Sequence, residues 1–131
     1  MRRPALVTLG VLLVALAGCS KLNYEKTFTL DSPQDHWEAE FPSASGARKV
    51  QVTASAPSAI NVCVVLVEDK ADAEEALRRG TKPGKMVEGQ ENTKDVDFEA
   101  AIPAKKAFLV LASTPKGTKG KVEVKLQVKS K

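Results

Sequence analysis

His36, Glu38 and Glu40 stand at every second position of one short run, so on a strand their side chains project from the same face. An imidazole and carboxylates at that spacing can ligate a metal. A zinc site, however, draws on more nitrogen or sulfur donors than this face offers, and the chain has one histidine and two cysteines. The trio is therefore read as a solvated polar face, and no metal is assigned to it. The lone histidine also limits nucleophilic catalysis, which needs a base held beside its nucleophile. Neither a Gly-x-Ser-x-Gly elbow nor a Cys-His neighbour occurs, so no catalytic residue is assigned. Asp31, Asp35, Asp69, Asp72, Asp95 and Asp97 flank loops, but none forms the Asp-x-Asp-x-Asp-Gly spacing of a calcium loop. No cofactor is expected.

The two cysteines have different settings. Cys19 follows a positive start, Met1-Arg2-Arg3, and an apolar run of thirteen residues from Ala5 to Ala17. Charge, apolar core and small residues in that order form a secretory signal. The run is short of the roughly 20 residues that cross a bilayer as a helix, and no charged stop-transfer cluster follows it. Arg2-Arg3 is followed by Pro4, which suits a simple n-region better than twin-arginine export. Cys63 lies in an apolar run, on the strand face that carries Asn61, Val65 and Val67, and is expected to be a buried, inert thiol.

Leu16-Ala17-Gly18-Cys19 resembles the lipobox of bacterial lipoproteins. The resemblance implies removal of residues 1–18, acylation of Cys19, a lipidated tether over 19–23 and a domain over 24–131. More than one acyl chain gives stable membrane association where a single chain is marginal. Ser20, rather than an aspartate, follows the cysteine. In enterobacterial lipoprotein sorting that residue implies the outer membrane, with the domain facing the periplasm.

Loss of Arg2 and Arg3 with the signal leaves 18 Lys and Arg against 16 Asp and Glu, a formal charge of +2. Nucleic acid is excluded as a partner by compartment, and six aromatic residues supply few stacking platforms. The remaining charge bias is a lysine row, Lys121, Lys125 and Lys129, which edge-strand protection explains and which could also contact anionic headgroups or polymer. About 110 residues suffice for one hydrophobic core.

Period-two alternation dominates that domain. It marks seven segments: 24–30, 36–41, 49–55, 60–67, 96–102, 107–112 and 121–129. Breakers separate them, among them Asp31-Ser32-Pro33 and Ala56-Pro57-Ser58. The runs 62–67 and 107–112 are apolar on both faces, so both faces must be covered. A helix over Asp72–Arg79, capped by Asp72 and stopped by Gly80, supplies the cover through Ala73, Ala76 and Leu77. Glu74–Arg78 and Glu75–Arg79 are expected ion pairs on it. Residues 80–95 read as the longest loop. The core is expected to contain Trp37, Phe41, Val52, Val64, Phe98, Phe108, Val110, Val124 and Leu126.

The fold expected is an all-β antiparallel sandwich of about seven strands, jelly-roll or immunoglobulin-like, with one short helix between strands four and five. From Ala47 onward the strand spacing and the lysine-flanked last strand resemble pre-peptidase C-terminal jelly-roll modules. Envelope lysozyme inhibitors are similar in size and anchoring. In Ser45-Gly46-Ala47-Arg48-Lys49, however, lysine stands where their Ser-Gly-x-x-Tyr pattern has tyrosine. Function is read as a non-catalytic, membrane-anchored envelope module that binds a protein or polymer or plays a structural part. The alternative is an enzyme or enzyme-accessory domain with a loop carboxylate site. The anchor is directly testable: Cys19→Ala should abolish palmitate incorporation and leave precursor or a soluble form, whereas unchanged labelling contradicts acylation at this residue.

Overall fold

A computed structural model describes residues 22–32 and 35–131. The signal segment, Cys19 and Ser20 lie outside the described residues. Six strands and one helix follow in order: β1 (Asn23–Ser32), β2 (His36–Phe41), β3 (Arg48–Leu66), a 3-10 turn (Val67–Asp69), α1 (Lys70–Arg78), β4 (Glu88–Ile102), β5 (Phe108–Ser113) and β6 (Gly120–Ser130). Among the described residues no helix is long and apolar enough to cross a membrane.

All pairings are antiparallel. The first layer contains β1, β6, the first half of β3 and the second half of β4; the second contains β2, β5, the second half of β3 and the start of β4. β3 and β4 run through both, so two of the seven expected strands are halves of one. Ala56-Pro57-Ser58 bends β3 without ending it. Ladder pairing shifts register between Ser55 and Ile60, where a proline without a backbone N–H can be tolerated.

Alternation turns Val50, Val52, Val122, Val124 and Val128 of the first layer toward Phe41, Val62, Val64, Phe108 and Val110 of the second, and all ten are buried. Two aromatic groups pin the layers together. Tyr24 meets Phe41 edge-on at 5.2 Å and Phe41 stacks on Phe108 at 4.9 Å. Nearer the other end, Phe28 stacks on Trp37 at 4.2 Å. Trp37 is thus only half-buried at the margin of the core, whereas the other eight expected core residues are buried.

The outer face of the second layer carries a smaller core of Cys63, Val65, Leu109 and Leu111, covered by Ala73 with Leu77 and Met86. The helix lies where the doubly apolar strands require it, but it begins earlier than expected. Lys70 is its first residue, and Asp72 falls in the first turn, where a carboxylate favours the positive end of the helix dipole without capping it. The stop is as expected. Gly80 adopts φ +75°, its N–H donates to the Leu77 carbonyl at 3.0 Å and the Thr81 N–H donates to Ala76 at 2.9 Å, a Schellman arrangement.

The expected loop over 80–95 is shorter, because β4 starts at Glu88. Polar, glycine-containing sequence conceals this strand. Gly89 pairs with Cys63 so closely that a Cβ there would lie 2.8 Å from the Cys63 Cβ. Only glycine fits that approach.

The sandwich has two distinct ends. Leu22 is buried at one, its N–H donating to Ser130 Oγ at 2.7 Å and its carbonyl accepting from the Ser130 N–H at 3.0 Å. β1 therefore begins one residue before the expected domain boundary. His36, Asn61 and Ser113, at the start of β2, the middle of β3 and the end of β5, share the opposite end.

Two outcomes check this arrangement. Phe108→Ala should cost about 3–5 kcal/mol, because it deletes a fully buried ring; a variant melting within a degree or two of the parent contradicts the packing. A thiol reagent should label native Cys63 slowly, and Leu77→Asp should speed labelling by opening the cover. Rapid labelling of the unaltered protein contradicts it.

Candidate functional site

At the end remote from Leu22, the C-terminal turn of α1 and the loop after it stand away from β4, leaving an open cleft of about 740 Å³. Cys63 and Leu111 form its floor. Its walls are Leu77–Pro83 on one side and Gly89–Asn92 on the other, and the loop after β5 closes one margin. Local structure fixes each wall. The Schellman turn sets the first, and Asn61 Oδ1 accepts the Asn92 N–H at 2.8 Å, where Asn92 takes φ +55° to carry β4 around the corner. Lys116 crosses the rim beside Gly80.

The rim combines Arg78, Arg79, Lys82 and Lys116 with Asp35 and Glu91. Glu75 ties down both arginines, pairing with Arg78 and, at 3.2 Å, with Arg79. Asp35 Oδ2 accepts the Asp31 N–H at 3.0 Å and so serves its own turn. Cys63 contributes no nucleophile at neutral pH. Burial, and then the Glu91 charge, push its thiol up to about 12, far from the thiolate range.

A second polar group lies on the seam between β2 and α1. Glu74 does not pair with Arg78 as expected but faces Glu38, while Lys70 reaches Glu38 Oε2 at 3.4 Å and His36 Nε2 lies 3.5 Å from Glu38 Oε1. Burial acts to raise the Glu38 carboxyl, but Glu74 and Lys70 outweigh it and hold it below its ordinary range. Glu74 is raised, first by its hydrogen bond to Glu38 and then by burial. The two facing carboxyls are thus displaced in opposite directions, Glu38 downward and Glu74 upward.

Lys121, Lys125 and Lys129 stand exposed in one row along the outer face of the first layer. The same face carries Glu25, Asp31, Asp95, Asp97, Glu99 and Glu123, so the row is interleaved with acid. Asp97 accepts a hydrogen bond from Gln51 at 2.9 Å. The structure does not gather the loop aspartates weighed for calcium: Asp31 and Asp35 share a turn, Asp69 and Asp72 flank the start of α1, and Asp95 and Asp97 lie on β4.

Sequence reasoning missed the cleft altogether. Its lining comes from separated segments of the chain, and nine of its 22 residues fall in the stretch read as loop. Glu74 was visible only as a helix-surface carboxylate; its approach to β2 depends on how α1 crosses the layer.

No protein-family model and no curated sequence matches the chain. Solved structures do. A periplasmic inhibitor of g-type lysozyme from Aeromonas hydrophila, PliG, aligns over 85% of this chain and 86% of its own at 16% identity, with a TM-score of 0.56. The pre-peptidase C-terminal domain of a Bacillus anthracis collagenase aligns over 80% and 89% at 12% identity, TM-score 0.54. The Yersinia pseudotuberculosis-derived mitogen aligns over 83% and 86% at 5% identity, TM-score 0.54. At these identities the likeness is one of fold: the chain is an antiparallel β-sandwich of the kind found in all three.

Proposed function

We propose that the protein is a non-catalytic, lipid-anchored module of the bacterial envelope that holds a protein or polymer partner in the cleft at the end of α1. The observation that carries this reading is that Leu22 and the cleft lie at opposite ends of the sandwich. From Cys19 to Leu22 the chain spans at most about 11 Å. Acylation at Cys19 would therefore hold the Leu22 end against the membrane and turn the cleft outward. With Ser20 after the cysteine, the membrane is the outer one and the cleft faces the periplasm. Pre-organised walls around an open, mixed-charge rim suit a binding surface. The fold shared with a periplasmic inhibitor and a collagenase domain supports a binding module.

The alternative, an enzyme with a loop carboxylate site, would be favoured by two carboxylates converging in a cavity. Of the two cleft carboxylates, Asp35 is engaged by its own turn and Glu91 stands on the β4 wall, and the facing pair Glu38 and Glu74 lies on the β2 seam. The lysozyme-inhibitor pattern would place its Ser-Gly at Ser45-Gly46, in the loop that joins β2 to β3 at the tethered end. That loop would face the membrane.

The test is crosslinking in intact cells from a photoreactive residue at Lys82 or Lys116, with Lys105 at the tethered end as control. Discrete adducts from the cleft positions, lost or reduced when Cys19→Ala releases the domain, are expected. Equal adduct patterns from Lys105, or none from either cleft position, contradict the reading.

A further inference from the structure

We propose that His36, Glu38 and Glu74 form a binding site for a divalent transition-metal ion of the zinc type, at the seam between β2 and α1. One donor atom from each residue lies within 4.8 Å of the other two. The strand alternation that puts His36 and Glu38 on one face supplies two ligands, and the crossing of α1 supplies the third. The third ligand is a carboxylate oxygen, which brings the set to one nitrogen and two oxygen donors.

The separation of the strand's two donors matches that of ligands sharing one ion. His36 Nε2 and Glu38 Oε1 are 3.5 Å apart. A hydrogen bond of this type spans about 2.7–3.2 Å. Two ligands on a tetrahedral ion with bonds of about 2.1 Å stand about 3.4 Å apart. Closing the wider separations, up to 4.8 Å, to that value requires up to about 1.4 Å of movement, which the half-exposed Glu74 side chain on α1 can make.

The donors also have the right character. Lys70 lies beside Oε2 of Glu38 at 3.4 Å and leaves the buried Oε1 turned toward His36 Nε2 at 3.5 Å. One imidazole with two carboxylates is a borderline donor set that suits zinc, whereas calcium and magnesium take all-oxygen shells. The fourth position would be left to water or to a group on a partner. The site is separate from the cleft and does not depend on the cleft being a binding surface.

The test is calorimetric titration of zinc chloride into the full protein in detergent, after chelator treatment and dialysis. One equivalent should bind. Loss of an outer-shell partner alone weakens metal sites about 10–100-fold, so His36→Ala and Glu74→Gln should each weaken binding about tenfold or more. Glu40→Gln, on the same strand face but outside the trio, should leave it unchanged. Because His36 is the chain's one histidine, its imidazole NMR signals should shift and saturate at one equivalent. Glu74→Gln relieves the facing carboxylates and should not lower the melting temperature, so weaker binding in that variant reports ligand loss rather than misfolding. No binding by the parent protein, or binding unaltered in both His36→Ala and Glu74→Gln, overturns the proposal.

Discussion

The second half of β3 is apolar on both faces, and most of the architecture follows from that. Val62 and Val64 face the sandwich interior, while Cys63 and Val65 face outward and are also buried. Left bare, such a strip would be an association surface. The chain covers it with the segment that leaves β3 directly, so α1 turns back along the outer face of the strands it has just exited. Burial of a few small side chains, chiefly Ala73, lets the helix sit close. A helix of nine residues would be marginal by itself, and this contact is what stabilises it.

Both polar features of the second layer are consequences of that cover. Where α1 runs beside β2, Lys70 and Glu74 meet the polar face of His36 and Glu38, producing the seam cluster. Where α1 ends, the Schellman turn at Gly80 lifts the chain away from β4, producing the cleft. Among the described residues the outer face of the first layer has no such cover. There the alternation leaves lysines and carboxylates exposed on adjacent strands, and their charges are interleaved.

Much of the fold was legible because period-two patterning depends on local burial alone. The inward residues of β1, β3, β5 and β6 follow directly from it, and so does the need for a helix over Cys63. Pro57 was misleading: sequence offers no means of telling a proline that ends a strand from one that sits where a continuous strand changes layers. The start of β4 was hidden for a different reason. Glu88 to Gln90 are held by pairing with β3, and Gly89 is required by its distance from Cys63, so a residue that signals a loop marks a close strand contact. Trp37 has the right parity for the core, but it lies on an edge strand near the end of the sandwich, where stacking on Phe28 covers one ring face. The candidate sites were the least legible because they join residues from strands and helix whose crossing no local pattern encodes. Glu74 illustrates this. Spacing alone pairs it with Arg78, and tertiary placement pairs it with Glu38.

The central claim is that α1 lies on the outer face of β3 and β5 and thereby builds both the seam and the cleft. Methyl NMR in solution tests it most directly, since nuclear Overhauser contacts report distances across this interface. The account predicts cross-peaks between the Ala73 methyl and the methyls of Val65, Leu109 or Leu111, and between Leu77 and the same group. Their absence, with the methyls of Val65 and Leu111 instead in contact with solvent or with a second molecule, would contradict it.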